Sequence, residues 1–404
     1  MKPIGFLILT LLAAAPALAQ EQPQKLTLAA ALEMAARQNL DLAAARAQHA
    51  VAQAGVQIAK QRPNPSASVS VLRDSPHESL FFDQPFELGA KRRRRIELAE
   101  QEIVLTDVDV SALERQVRRI VRDAYYSLAL ARAVSSQKAD ALKFAERLHE
   151  IAKTRFETGD IPQLEVIQAE LEVSRAQADS QVSQQEEKVA LSELNALLNE
   201  PATKNWALEG QFEALPARLP LEELIARAGG SNPELQRIAQ ERKIEKGRET
   251  LLRAERIPNL GVEFGADFNA PHDFRVGPRG QLTMALPIFT RNQGEIAQSL
   301  ASQRALLSET VARQRAVAGR VEAAYFELDA REAQVELYRR TLVPASERLE
   351  SLAEESYRAG KANLLTVLDA QRNVQQVHQD YLQSLFTAQA AFARLEETVG
   401  VTLD

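Results

Sequence analysis

The chain has 404 residues, a net charge of −6 and no cysteine. The mildly acidic balance argues against a nucleic-acid partner, and the absence of cysteine excludes a disulfide framework and lipidation of the kind seen in bacterial lipoproteins. Only 5% of the residues are aromatic, whereas alanine, leucine, glutamate, glutamine and arginine are abundant. This composition is typical of a mainly helical protein.

Residues 1–19 are typical of a secretory signal peptide. Lys2 supplies a positive charge, Ile4 to Ala15 form a short apolar run, and Ala17-Leu18-Ala19 is a small-x-small cleavage pattern. We therefore expect export, with Gln20 as the first mature residue. No later stretch is apolar over about 20 residues, so the sequence predicts no membrane-spanning helix in the mature chain.

The rest of the sequence contains the same unit twice, at an offset of about 200 residues. The matching segments are Asn39-Leu40-Asp41-Leu42 with Asn232-Pro233-Glu234-Leu235, Ala124-Tyr125-Tyr126 with Ala324-Tyr325-Phe326, and Phe156-Glu157-Thr158-Gly159 with Tyr357-Arg358-Ala359-Gly360. The sequence therefore predicts a first repeat over 20–199, a linker over 200–220 and a second repeat over 221–404.

Long helices dominate both predicted repeats. The segment from Lys91 to Thr158 has no proline or glycine, and its apolar and small residues recur every seven positions, as in a coiled coil. About 70 helical residues make a rod of about 100 Å, which must lie along other helices. Each repeat is expected to hold a helix of about 35 residues, two strands, the rod, a glycine turn and a second helix of about 35. Pro344 is expected to bend the second rod.

The strands are expected to have one apolar and one polar face. Apolar residues alternate with polar or small ones from Ser66 to Val71, from Leu260 to Phe268 and from Gln281 to Ile288. One interpretation is a half-buried soluble sheet that caps a coiled coil. The other is a set of membrane-crossing strands, because three chains with four strands each could close a 12-stranded barrel. The latter predicts a trimeric tube, with a β-barrel in the outer membrane and a helical barrel in the periplasm.

The two predicted helix turns carry the most specific motifs. Arg155-Phe156-Glu157-Thr158-Gly159 precedes Leu164-Glu165-Val166-Ile167-Gln168-Ala169, and Tyr357-Arg358-Ala359-Gly360 precedes Leu364 to Gln371. On these motifs the whole mature chain resembles the TolC-like outer-membrane efflux proteins. The stretch from Gln84 to Arg92 is similar to the heavy-metal cation-efflux subgroup. The resemblance implies a homotrimeric, non-enzymatic exit duct without a cofactor, fed by a periplasmic adaptor and an inner-membrane RND pump, with heavy-metal cations as candidate cargo.

The resemblance also places candidate site residues at the periplasmic tip. It implies adaptor contacts at the two turns, around Arg155, Gly159, Arg358 and Gly360. It implies a constriction formed by Asp369, Thr366, Glu165 and Tyr357, in which Asp369 matches one acidic ring position, Thr366 replaces the other, and Glu165 accepts a bond from Tyr357. An arginine of that latch is replaced by Ala362.

Threefold symmetry would turn a lumen-facing carboxylate such as Asp369 into a ring of three, which attracts cations. The alternatives are a solvated helix residue for Asp369 and a packing role for Tyr357.

A run of five cations, Lys91-Arg92-Arg93-Arg94-Arg95, begins the first long helix and opposes its macrodipole. We expect contact with lipid phosphates at the inner edge of the barrel; pairing with Glu97 and Glu100 on a solvated face is the alternative. His77 and His272 occupy equivalent hairpin loops. We interpret them as ordinary surface residues, and a metal site is the less favoured alternative.

Two other functions remain open. The same fold could serve type I protein secretion, and a different class would be a secreted coiled-coil scaffold without a pore. No catalytic motif points to an enzyme.

Overall fold

The computed structural model describes residues 24–210, 212, 219–270 and 274–403, so the predicted signal peptide, part of the predicted linker and His272 lie outside the described residues. The elements follow in the order β1 (Gln24–Thr27), α1 (Leu28–Gln38), α2 (Leu40–Lys60), β2 (Ser66–Val71), β3 (Glu78–Phe86), α3 (Lys91–Glu157), α4 (Gln163–Leu197), β4 (Trp206–Glu209), α5 (Leu221–Ser231), α6 (Pro233–Glu255), β5 (Leu260–Ala270), β6 (Phe274–Met284), α7 (Gln293–Leu337), a π-helical turn (Tyr338–Leu342), α8 (Val343–Arg358) and α9 (Leu364–Val399). The predicted class, mainly helical with a small strand part, is confirmed.

The first helix of each half is broken, which corrects the expected single helix of about 35 residues. The breaks occur at Asn39 and Asn232, whose extended backbones separate α1 from α2 and α5 from α6. Each asparagine Oδ1 accepts hydrogen bonds from the first backbone N–H groups of the next helix, an N-cap. Each Nδ2 donates to a carbonyl at the end of a distant helix, Leu197 in α4 and Thr398 in α9. The side chain thereby joins three helix ends.

The helices form one layer with α3 near its middle. The 67-residue α3 packs along one side against α2 and then α4, and along the other against α6 and then α9. Shorter helices therefore stack end to end beside the rod, as expected. The second rod lies farther along the layer, where α7 packs against α6 and α9, and α8 packs against α9. Among the described helices, none has the length together with the apolarity required to cross a bilayer.

The second rod is interrupted where a bend was expected. The π-helical turn Tyr338–Leu342 ends two residues before Pro344. A helical proline lacks an N–H group, and its ring clashes with the carbonyl four residues earlier. The wider π turn accommodates that clash without ending the helix.

The two hairpins form one antiparallel sheet in the order β2-β3-β5-β6. The register pairs Val69 with Leu80, Phe82 with Phe264 and Val262 with Leu282, so the apolar residues share one face. The rings of Phe82 and Phe264 stack 5.8 Å apart. On the other face, Ser79 donates a hydrogen bond of 2.7 Å to Asp267.

The last strand lies earlier in the chain than the alternation from Gln281 to Ile288 predicted, because β6 runs from Phe274 to Met284. Leu286 and Ile288 therefore lie beyond the sheet. Pro287, which cannot donate a ladder hydrogen bond, separates them.

A second, two-stranded sheet lies beside the middle of α3. There β1 pairs in parallel with β4, and Tyr125 of α3 donates to the carbonyl oxygens of Leu26 and Glu209. Trp206 is buried against α3 and α4 and donates from Nε1 to Asn195 at 2.6 Å. Trp206 therefore anchors the packing of the core cluster between α1, α3 and α4.

Candidate functional site at the helix-turn tip

Two tight turns reverse the chain at the end of the layer that is remote from the four-stranded sheet. Gly159 follows α3 with a φ of +82°, and Gly360 follows α8 with a φ of +69°, a left-handed conformation that favours glycine. Asp160 N–H donates back to the Arg155 carbonyl, and Lys361 N–H donates back to the Ser356 carbonyl. These bonds satisfy helix-terminal carbonyls, so the glycines fix where each rod ends.

Tyr357 sits at the centre of the tip. The residue is 0% exposed and packs in a cluster with side chains of α3, α4 and α9. Its hydroxyl lies 3.5 Å from the Glu165 carboxylate, the partner that the resemblance implied. Burial raises the pKa of Tyr357, the charge of Glu165 raises it further, and Arg155 opposes the shift. The phenol therefore stays neutral and can donate to Glu165.

Arg155 turns towards Tyr357 instead of outwards. Its guanidinium donates to the Tyr357 carbonyl at 3.1 Å and lies 4.8 Å from the centre of the tyrosine ring. One side chain of α3 thus caps the end of α8 and covers its aromatic residue. Four residues were expected to contact the adaptor. Arg155 is half-buried and contacts Tyr357 of the same chain, whereas Gly159, Arg358 and Gly360 are exposed.

Asp369 and Thr366 lie on the exposed face of α9 near its start. The Asp369 side chain is 65% exposed, and its Oδ1 lies 3.8 Å from Arg372. Arg372 also pairs with Glu172 of α4 at 3.2 Å. Thr366 donates from its backbone and hydroxyl to Asn363, the N-cap of α9. Thr366 therefore has a structural role at the helix start, and Arg372 is a further charge at the site.

Sequence reasoning missed Arg372. Its spacing of three residues from Asp369 was visible as a possible helical ion pair. Its bond to Glu172 was not, because that contact depends on how α4 and α9 pack.

The cations at the start of α3 mainly contact groups of the same chain. Lys91 is 7% exposed and donates to Asn259 at 2.5 Å, so the expected lipid-phosphate contact is wrong for this residue. Arg92 and Arg95 donate to the carbonyls of Lys60, Ala59 and Gln61 at the end of α2. Arg93 and Arg94 pair with Glu97. Arg92 and Arg95 therefore stabilise the negative end of α2.

The outer side of α4 carries an apolar stripe. Its exposed residues Leu164, Ile167, Leu171, Val182 and Val189 follow one another at spacings of 3, 4, 11 and 7, which places them on one side of the helix. Among the described elements, α4 packs chiefly on α3 and leaves this stripe uncovered. A second stripe of exposed leucines lies at the opposite edge of the layer, at Leu337, Leu349 and Leu352 of α7 and α8.

In the described residues, no group of three or more histidine, aspartate or glutamate side chains is placed to hold a metal ion. His77 is half-buried, and its carbonyl accepts a hydrogen bond from Leu72 N–H in the β2–β3 connection.

The family model described as "Outer membrane efflux protein" matches residues 31–200 and again 224–401. The chain belongs to the outer membrane efflux protein family. The resemblance predicted from the helix-turn motifs is thereby confirmed. The two matched segments each contain one hairpin, one rod and one glycine turn.

Relatives within the family extend over nearly the whole chain. The cobalt-zinc-cadmium resistance protein CzcC of Cupriavidus metallidurans is 27% identical over 391 residues, which are 95% of this chain and 92% of the relative. The pyoverdine export outer membrane protein OpmQ of Pseudomonas aeruginosa is 26% identical over 340 residues, 81% of this chain and 69% of the relative. The crystal structure of the outer membrane protein VceC of Vibrio cholerae superposes with a TM-score of 0.75 at 16% identity, covering 93% of this chain and 97% of that one.

Proposed function

We propose that this efflux protein forms a homotrimeric exit duct in the bacterial outer membrane. Sheets from three copies would close into a 12-stranded β-barrel, and the helical layers would continue it as a barrel in the periplasm. The duct would conduct solute passively and carry out no chemistry. Residues 20–199 and 221–404 would be its two repeats, joined by the linker 200–220.

The exposed apolar face of the four-stranded sheet is the observation that carries this proposal. Phe264, Leu282 and Val69 are exposed on it, and in the described residues the outer edges of β2 and β6 have no partner strand. Lipid would cover the apolar face, but an open strand edge is not tolerated in a bilayer. Further copies must therefore complete the sheet. Two copies give 8 strands, whose interior is filled by side chains, whereas three give 12 and leave room for a lumen.

The helical layer supports the same symmetry. Its two uncovered apolar stripes lie at opposite edges, one on α4 and one on α7 and α8. Two different edges that meet between copies make a head-to-tail interface, which closes as a ring. Each copy would place its α4 stripe against the α8 stripe of its neighbour.

The tip supports contact with other components of an efflux system. We place the constriction at Asp369, with Thr366, Glu165 and Tyr357 beside it, and the periplasmic adaptor at the exposed turns Gly159, Arg358 and Gly360. An inner-membrane RND pump would feed the duct through that adaptor. The resemblance supplies these partners, and the tightly capped turns give them a defined surface.

Heavy-metal cations are the proposed cargo. The relative that covers almost the whole chain is named for resistance to cobalt, zinc and cadmium. The name of OpmQ, pyoverdine export, makes a siderophore the second candidate. Deletion of the gene followed by challenge with cobalt, zinc and cadmium, alongside measurement of siderophore release, distinguishes them. Metal sensitivity without a defect in siderophore release is expected.

Cross-linking tests the ring directly. Ile167 and Leu352 each lie eight residues from the glycine of their turn, one on each stripe, so a neighbouring copy brings them to the same height. Because the natural chain has no cysteine, Ile167→Cys with Leu352→Cys gives a clean background. A short bismaleimide should yield dimers and trimers from outer-membrane fractions. The single-cysteine variants are the controls and should stop at dimers or monomers. A soluble monomer without cross-links would support the scaffold alternative instead.

Ion selectivity tests the constriction. Asp369→Asn should lower the cation preference of single channels in planar bilayers, because the ring loses three charges. Arg372→Gln should raise it, because the partial pairing of Asp369 is removed. If the selectivity is unchanged in both variants, this face of α9 does not line the narrowest part of the duct.

A further inference from the structure

A cleft of about 650 Å³ lies in the wall of the helical layer, between α3 of the first half and α8 and α9 of the second. It is lined by side chains of α3, α8 and α9. Val343, the residue that follows the π-helical turn, forms part of its wall. Turns of this kind often occur at functional sites, and here the turn lies beside an opening between helices.

Two buried amide oxygens in the cleft have no hydrogen-bond partner among the residues that the structure describes. Gln371 is 9% exposed, and its Oε1 accepts no hydrogen bond. Gln137 Oε1 is likewise buried without a donor, whereas its Nε2 donates to the Gln375 carbonyl at 2.9 Å. Buried acceptors of this kind are costly unless a donor reaches them. Both residues line the same cleft, on α9 and on α3, so one ligand could satisfy both.

Glu350 adds a negative charge to these acceptors. Burial raises the pKa of Glu350, and the nearby Glu354 raises it further. Within the described residues, no donor or cation lies within hydrogen-bond or ion-pair distance of its carboxylate. The other lining carboxylates have partners: Asp140 pairs with Lys143 at 2.9 Å, and Glu354 pairs with Arg358.

Two further charged or titratable groups face Glu350. His378 Nε2 lies 3.2 Å from Glu347 without forming a hydrogen bond. Arg147 is exposed, with its guanidinium 5.5 Å from the Phe144 ring. Both lower the pKa of Glu350, in opposition to burial and Glu354, and within the described residues neither forms an ion pair with it.

We propose that this cleft binds an organic ammonium ion with an apolar body. An ammonium group has three donors and no acceptor, which matches Glu350 and the two free amide oxygens. Phe144, Val374 and Leu382 line the cleft and would contact the apolar body. The volume falls in the range of small-molecule sites. A bound ligand would bridge the first rod to α8 and α9.

Calorimetry on the full-length protein in non-ionic detergent tests the site. The probe is 4-phenylbutylammonium, and the matched neutral compound is 4-phenylbutanol. The ammonium ion should bind once per chain, and the alcohol should bind at least about tenfold more weakly, because it lacks the charge that pairs with Glu350. Equal binding of the two compounds, or no binding of either, would overturn the proposal.

Three variants localise the binding. Glu350→Gln keeps the shape of the side chain and should weaken ammonium binding about tenfold. Gln371→Met removes one acceptor and should weaken it several-fold. Glu355→Gln, which removes an exposed charge from the same helix outside the cleft, should leave it unchanged. An unchanged affinity in Glu350→Gln contradicts the assignment. If that variant does not assemble, the comparison of ammonium with alcohol on the natural protein still decides.

Discussion

The two helix turns at the tip share a backbone and differ in the burial of one aromatic residue. Gly159 and Gly360 both adopt the left-handed conformation directly after a rod. Three positions before each glycine stands an aromatic side chain. Phe156 is 42% exposed, whereas Tyr357 is 0% exposed.

The partners explain this difference. Tyr357 is covered by Arg155 and contacts Glu165, both contributed by the first half of the chain. The offset that relates Phe156 to Tyr357 relates Arg155 to Ser356 and Glu165 to Thr366. The shorter serine and threonine side chains cannot cover Phe156 as Arg155 and Glu165 cover Tyr357. Duplication therefore supplied the two turns, and side-chain divergence made one of them a clamp within the chain. In the other turn the aromatic residue, Phe156, stays exposed.

The strongest test of this comparison is truncation of the two aromatic residues. Tyr357→Ala should lower the free energy of local opening at the tip by about 3–5 kcal/mol, because a fully buried ring is removed. Phe156→Ala should lower it by less than about 1 kcal/mol, since the ring is largely solvated. Hydrogen exchange of the amides in α8 and the start of α9 measures both values. Equal losses would mean that the two turns are buried alike in the assembled protein.

Removal of Arg155 should have the next largest effect. Arg155→Met keeps the aliphatic stem but loses the bond to the Tyr357 carbonyl and the stacking on its ring, at a cost of about 1–3 kcal/mol in the same exchange measurement. Arg358→Met is the matched control. Arg358 is exposed and pairs with Glu354 on its own helix, so its loss should cost under about 0.5 kcal/mol. If Arg358→Met has the larger effect, the contact of Arg155 with Tyr357 is not what stabilises this turn.

The glycines should be equivalent in the two turns. Gly159→Ala and Gly360→Ala should each destabilise the tip by about 1 kcal/mol through backbone conformation alone. A Cβ atom at Gly159 meets nothing within 4 Å, and at Gly360 its nearest neighbour is Arg155 Nη2 at 3.7 Å. Gly229→Ala, within α5, is the control and should be neutral or stabilising. A tip that tolerates both substitutions would not require the left-handed turns.

The smallest expected effect is electrostatic. Because burial and Glu165 raise the pKa of Tyr357 and Arg155 lowers it, Glu165→Gln should shift the titration of this phenol downwards and Arg155→Met upwards. Absorbance at alkaline pH, with Tyr357→Phe subtracted, isolates the residue.

The raised pKa of Tyr357 also makes the stability of the protein depend on pH. The contribution of the neutral phenol is fully present below the pKa of an unfolded tyrosine and is lost as the pH rises through the raised folded value. The natural protein should therefore lose stability relative to Tyr357→Phe only in that alkaline range. A loss that begins at neutral pH would have another origin.

Several tip features were readable from the sequence. Each turn motif ends in glycine, the first of them after a long segment without proline or glycine, and the family resemblance implied Glu165 as the partner of Tyr357. The side chains that complete the site were not readable. Arg372 bridges Glu172 and Asp369, and Lys91 is buried beside Asn259. The contacts of Arg372 with Glu172 and of Lys91 with Asn259 join residues that are distant in the sequence, and no local pattern specifies such pairs.

The sequence by itself determined the limits of α3, the two glycine turns and the side-chain faces of the sheet. These features follow from local periodicity: 3.6 residues per helical turn, alternation along a strand, and the special backbones of glycine and proline. Only the tertiary structure decided that Asn39 and Asn232 break their helices, because each break is fixed by a bond to another helix end. It also decided that Arg155 covers Tyr357 and that a cleft opens beside the π-helical turn. Side-by-side packing of helices brings these groups together, and packing depends on residues far apart in the chain.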